Sequence, residues 1–220
     1  MPVSNIQTDQ CVPGTGVLDL IRAHKRPFLI LNACYYGIIL FGMLIAMADP
    51  SLRDRLLEGI GASLESEMFA PLARAYTEGH FFTALLLTFT VNLLLGSLLV
   101  INVPSLVVPF SGILWLSIRP VLWGICFYPV DHELGWGVYI HMGTLLLEGQ
   151  GYVLAAFAAY LQGRSFLSPR SMGAVTHGEG YVLGLRHTVR LYAAVSLTLL
   201  VAAAYEAFTV IYIVPHLLPQ

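Results

Sequence analysis

The stretch Val138–Leu161, VYIHMGTLLLEGQGYVLAAFAAYL, decides how this chain is read. It is long and apolar enough to cross a bilayer, because about 20 such residues span the hydrocarbon core. Yet Glu148, Gly149, Gln150 and Gly151 sit at its centre. A carboxylate at that depth costs roughly 2.5–3.5 kcal/mol on insertion scales. Each glycine gives up roughly 1 kcal/mol of helix propensity relative to alanine. A span that keeps all of this at mid-membrane needs a compensating partner or a close helix contact.

Composition carries the same message to the rest of the chain. The 220 residues are 57% hydrophobic and 11% charged, with a mean hydropathy of +0.74. Soluble domains carry about 25% charged residues, so the class is an all-α integral membrane protein, one transmembrane helical domain over residues 1–220. A net charge of −2 offers no basic footprint for nucleic acid. Cys11, Cys34 and Cys126 form neither a disulfide framework nor a paired metal spacing.

Working outward from Val138–Leu161, four further apolar runs complete a five-span helical bundle: 28–48, 81–103, 105–128 and 191–214. The first follows Arg22, Lys25 and Arg26 and ends in Ala46-Met47-Ala48, a pattern shared with signal peptides. Its length of about 20 residues exceeds the roughly 7–15 of a signal-peptide core, so it reads as an uncleaved anchor. The third span, opened by a turn at Pro104-Ser105, is interrupted by Pro109, Gly112, Arg119, Pro120 and Gly124. It is either one kinked helix or two half-helices with a re-entrant turn.

In the 49–80 loop, Leu52, Leu56, Ile60 and Leu64 recur opposite Arg53, Arg55, Glu58 and Glu65. That is an amphipathic helix, with Ser51 and Asp54 as a capping-box-like start. Gly178-Glu179-Gly180 reads as a flexible turn, and Gly180–Arg190 as a lead-in helix to the last span. Arg22, Lys25, Arg26, Arg164, Arg170, Arg186 and Arg190 fall on one side of the membrane, and Arg53, Arg55 and Arg74 on the other. The bias places the N-terminus in the cytoplasm and the C-terminus outside.

Counting depth at about 1.5 Å per residue brings Arg119, Glu148 and Glu206 within one turn of the same level. The expectation is that Arg119 faces Glu148, Glu206 or both, because its planar fork engages two carboxylates and stays charged when buried. A structural ion pair, proton or ion handling, and a partner or headgroup contact all fit this set. Asn92 joins it as an interhelical hydrogen-bonding residue. Gln150 and His141 are secondary candidates, His141 lying one turn from the outer end. His132-Glu133 lacks the second histidine of a zinc-protease helix. No metal, cofactor or catalytic residue is therefore expected.

Four stretches carry a family resemblance: Phe82–Gly96 with Asn92 ahead of a glycine; Pro109-Phe-Ser-Gly-Ile-Leu-Trp-Leu116; Leu147-Glu148 running through alanines to Gly163; and Leu200–Thr209, where Glu206 precedes an aromatic and a threonine. In these the chain resembles the stage II sporulation protein M family of bacterial and archaeal membrane proteins. It departs from that pattern at Arg119-Pro120, where the family commonly has Asn-Gly, and matches the family's His-Gly only loosely, with His141-Met-Gly143. The resemblance implies a protein of the cytoplasmic membrane with Asn92, Glu148 and Glu206 as matching polar positions. It also implies a non-enzymatic scaffold that holds membrane or envelope proteins, or further copies of itself, in the lipid bilayer. In spore formers such partners degrade peptidoglycan. The alternative is a small transporter or channel subunit with a midplane polar site.

Overall fold

The structure, a computed structural model, describes residues 16–128 and 135–217. The acidic turn Asp131-His132-Glu133 lies outside the described residues. Among those described, every regular element is helical. Four stretches are long and apolar enough to cross a membrane: Lys25–Ala48, Phe81–Val107, Tyr139–Leu167 and Pro169–His216.

The chain opens with α1 (Val17–Ala23) and α2 (Lys25–Ala48). After α2 come α3 (Pro50–Leu64) and α4 (Ala70–Thr77). A continuous element follows, made of α5 (Phe81–Thr90), a π-wound segment (Val91–Asn102) and α6 (Val103–Val107). Two short helices, α7 (Ser111–Leu116) and α8 (Ile118–Cys126), precede the long hairpin of α9 (Gly135–Leu167) and α10 (His177–Phe208). A π turn (Thr209–Ile213) and a 3-10 turn (Val214–His216) extend α10. The end of the bundle holding α1 and the α9–α10 turn is called the hairpin end; α3 and α4 lie at the far end.

The expected turn at Pro104-Ser105 is absent. Pro104 lies inside the continuous element Phe81–Val107, just after the π-wound segment, and the chain reverses at Val108–Phe110 instead. Phe110 adopts φ 69°, left-handed backbone that is uncommon for a non-glycine. Its ring packs in the space left by Gly163 and beside Tyr160. The Ser105 hydroxyl then accepts from the Gly112 amide at 3.0 Å. Gly112 rests on the Ile101 carbonyl, leaving no room for a β-carbon. The third apolar run thus becomes two helices of 6 and 9 residues, broken between Leu116 and Ile118. Leu116, the last residue of α7, lies four residues before Pro120, and a proline ring clashes with the carbonyl at that spacing in a continuous helix. Together α7 and α8 run from the level of Gly163 to that of Arg53, which donates to the Cys126 carbonyl.

The last apolar element begins earlier than 191. Gly178-Glu179-Gly180 is not a turn but the first turn of α10, closed by a capping box. The Glu179 amide donates to the Thr176 hydroxyl at 3.2 Å, and the Glu179 carboxylate accepts from the Thr176 and Val175 amides. The lead-in helix and the span are therefore one helix. At α3 the cap is Asp49 rather than Ser51, accepting from the Ser51 amide and hydroxyl. Those bonds, the hydroxyl's first, hold its carboxyl below the usual carboxylate range, with Arg55 adding to the effect. Arg53, expected on the polar face of α3, is instead buried against α8.

Val138–Leu161, within α9, forms the centre of the bundle. In Tyr139–Leu167, 78% of the apolar window is buried, against 17% in Lys25–Ala48, so α9 is wrapped by the other helices and α2 is peripheral. Tyr152–Ala159 is buried at every position. Small residues allow this: Gly149 makes room for Tyr35, and Gly151 for Leu199. On the outside, α2 and α8 meet at Gly42 and Gly124, where a β-carbon on Gly124 would overlap the Ile39 carbonyl. Gly124→Ala is expected to lower stability by about 1–3 kcal/mol, the usual range for overpacking. Gly37→Ala, with open space around it, should leave stability unchanged or raise it. Unfolding of both variants in detergent checks this.

Candidate functional site

Thr88, Asn92, Ser97, Asn102 and Ser105 are all buried along one element. In an α-helix a spacing of five residues rotates a side chain by about 140°, so Asn92, Ser97 and Asn102 would be scattered around it. Over Val91–Asn102 the helix is π-wound, each amide reaching back five residues. Five residues then complete little more than one turn, and all three side chains stay on the buried face.

Asn92 and Glu148 converge on Arg119. The break before α8 places Arg119 in that helix's first turn. Its Nη2 donates to Glu148 Oε1 at 2.6 Å and to Asn92 Oδ1 at 3.2 Å. One turn beyond Glu148 on the same face of α9, the Tyr152 hydroxyl lies 2.7 Å from Glu148 Oε1 and 3.0 Å from Asn92 Oδ1. It has one proton, and the charged, nearer carboxylate is the stronger acceptor. The guanidinium carbon also stands 4.5 Å from the centre of the Tyr152 ring and 5.6 Å from that of Trp123, a cation–π geometry. Gly96 supplies the space: a β-carbon there would come within 2.7 Å of the Tyr152 hydroxyl and 2.8 Å of Arg119 Nη1. The Glu148 side chain is 8% exposed and that of Arg119 30%.

Glu206 does not join the ion pair. The Tyr205 ring fills the space beside Gly143, and Leu199 that beside Gly151. This antiparallel register puts Glu206 more than a turn from Glu148, towards the far end. Its half-buried carboxylate remains within electrostatic range of both Glu148 and Arg119. Gln150, two residues from Glu148, projects from the other side of α9 and lies outside the network. His141 stacks on Phe127 at 4.4 Å.

A second polar layer lies closer to the hairpin end. The Tyr192 hydroxyl donates to Asn102 Oδ1 at 2.7 Å, and Asn102 Nδ2 donates to the Ala155 carbonyl at 3.3 Å. Tyr152, Asn102 and Tyr192 were not among the expected site residues. Tyr152 carried a signal in its i+4 spacing from Glu148; Asn102 carried one only in the five-residue series.

Chemically, the upper layer is a neutralised pair with a hydroxyl and an amide as braces. Removing one partner of a buried pair costs about 3–5 kcal/mol because the other charge is left uncompensated. Glu148→Leu is expected to destabilise on that scale. Adding Arg119→Met should restore most of the loss, and the difference is read from detergent unfolding of the two single variants and the double. Two losses that simply add would mean the pair is not coupled.

No protein-family model matches the chain, and no curated protein or solved structure is significantly similar to it. The layers have to be read from their own chemistry.

Proposed function

We propose that the protein is a non-enzymatic multi-pass membrane scaffold of the stage II sporulation protein M type, binding membrane or envelope proteins or a second copy of itself. The observation that carries this reading is the tie that the Arg119–Glu148–Tyr152–Asn92 network makes between α8, α9 and the π-wound segment. Its donors and acceptors meet one another at 2.6–3.2 Å, as a brace between helices does. In the same reading α7 and α8 serve as a fifth, broken span. The N-terminus is cytoplasmic and the C-terminus outside, in the cytoplasmic membrane of a bacterium or archaeon. The apolar outer faces of α2 and α5, with Leu40, Phe41, Leu44 and Phe82 each more than half exposed, meet lipid and partner helices. The resemblance of the four quoted stretches supports the class.

One observation favours the transporter alternative: Glu206 stands near the pair without joining it. Two measurements on the full chain separate the readings. Reconstituted in liposomes, the scaffold passes no ions across a pH gradient, and cross-linking in native membranes captures the same partner, or a second copy, from either side. A pH-dependent flux abolished by Glu148→Gln would replace the scaffold with the transporter.

A further inference from the structure

The first turn of α2 carries charge of the sign that a helix N-terminus disfavours. That end holds about half a positive charge and is stabilised by acids. Yet α2 opens with Lys25 and Arg26, has no acid in its first turn, and follows His24, whose side chain makes no capping hydrogen bond. Lys25 and Arg26 are both exposed. A second helix adds to the same field. Arg164, in the last turn of α9, is half-buried, and its Nη1 donates to the Tyr160 hydroxyl at 2.9 Å. A phenol is neutral and leaves the guanidinium charge uncompensated.

Burial, then the Arg164 guanidinium, hold the His24 imidazole below its usual value, so Arg164 stands within electrostatic range of the α1–α2 joint. From α10 comes His187, 7% exposed and also within range of His24, its Nδ1 meeting no hydrogen-bond partner. Among the described residues no acid lies within ion-pair distance of Lys25, Arg26 or Arg164. Asp19 pairs instead with Arg22 at 3.7 Å, and Glu179 closes the α10 cap. Lys25 also opens the apolar stretch Lys25–Ala48, and Arg164 lies within a turn of the end of Tyr139–Leu167. Both therefore sit where hydrocarbon gives way to headgroups. Leu29 and Ile30, one turn below Lys25 and Arg26 on the same helix face, are 57% and 61% exposed. Ala33 and Gly37 continue that face, and nothing lies within 4 Å of where a Gly37 β-carbon would stand.

We propose that this corner binds an anionic phospholipid, its phosphate held by Lys25, Arg26 and Arg164 and an acyl chain lying along Leu29, Ala33 and Gly37. Cationic donors from two helices suit the several oxygens of a phosphodiester. The bound phosphate also supplies the negative charge that the start of α2 lacks. The exposed apolar face beneath selects the lipid over free phosphate, which would leave it uncovered. The inference rests on the membrane reading above but not on the scaffold role.

The test uses the delipidated full chain in a neutral detergent, titrated with phosphatidylglycerol, phosphatidylcholine or inorganic phosphate and read by native mass spectrometry. Phosphatidylglycerol should be retained at a concentration at least roughly tenfold lower than phosphatidylcholine, since each Lys or Arg at an anionic surface contributes about a factor of five. Lys25→Gln with Arg26→Gln should remove most of that preference, and Arg164→Gln alone should lower it several-fold. Arg170→Gln with Arg186→Gln, which takes two exposed charges from the same end of the bundle, should keep it. Equal retention of both lipids overturns the proposal and leaves the corner to an acidic segment of a partner. So does a preference that survives the Lys25 and Arg26 double variant, one that the Arg170 and Arg186 pair lowers equally, or one that an equal concentration of inorganic phosphate displaces. Lys25 and Arg26 are exposed, so their double variant decides the matter even where Arg164→Gln does not purify folded. A failed lipid preference leaves the cross-linking and flux outcomes as they were, so it does not decide the scaffold role.

Discussion

A guanidinium and a carboxylate that leave water together must meet at hydrogen-bond distance, and the placement of three elements follows from that requirement at Arg119 and Glu148. Taking two charges out of water costs several kcal/mol per ion even after relaxation. Their attraction offsets that only when the remaining donors and acceptors are also engaged. Glu148 alone could be met from several directions. Met by Arg119 at 2.6 Å and by Tyr152 from its own helix, with Asn92 bonded to Arg119, it ties α8, α9 and the π-wound segment to one register. The worth of such a pair lies less in net stability than in excluding other registers, since a slip of one residue would strand a charge.

The backbone departs from regular α-helix where that register demands it. Long π-helices are rare, and π turns occur mostly as single bulges. Here twelve residues are π-wound, and the winding presents Asn92 to the upper layer and Asn102 to the lower one. The break between α7 and α8 has the same consequence by another route. Pro120 ends one helix early and starts the next at Ile118, so Arg119 enters the bundle from a first turn. Glycine does the rest, because Gly96 leaves space that any side chain would take from Tyr152 and Arg119.

How much of this was legible depended on whether the signal was a cost or a contact. Glu148 in an apolar span is a cost, visible in the sequence, and it marked the central helix. Arg119 was visible for the same reason. Tyr152 was not, because a tyrosine in an apolar run reads first as packing. Asn102 was hidden by the assumption of 3.6 residues per turn, which turns its face away from that of Asn92. Arg53 was hidden because an amphipathic pattern assigns arginines to water, and nothing local reveals that the Cys126 carbonyl waits for it. Glu206 was placed with Arg119 by counting from estimated span ends. The true register, set by Tyr205 beside Gly143, shifts it by more than a turn.

The distribution of close contacts divides the molecule unequally. Around α9, both polar layers and the glycine contacts at Gly149 and Gly151 fix side chains against backbone, so motion there must break several contacts at once. In α2 the window is only 17% buried, and its tightest contact, Gly42 against Gly124, binds it to α8. What α2 gains or loses on its outer face reaches the centre by two routes: through α8, the helix whose first turn carries Arg119, and directly, where Tyr35 fills the space beside Gly149 and the Tyr36 hydroxyl donates to the Leu146 carbonyl. A partner or lipid that shifts α2 therefore acts on both sides of the ion pair, on Arg119 through a helix of 9 residues and on Glu148 through the turn of α9 beside it. Both routes join the most peripheral of the four long apolar stretches to the Arg119–Glu148 pair.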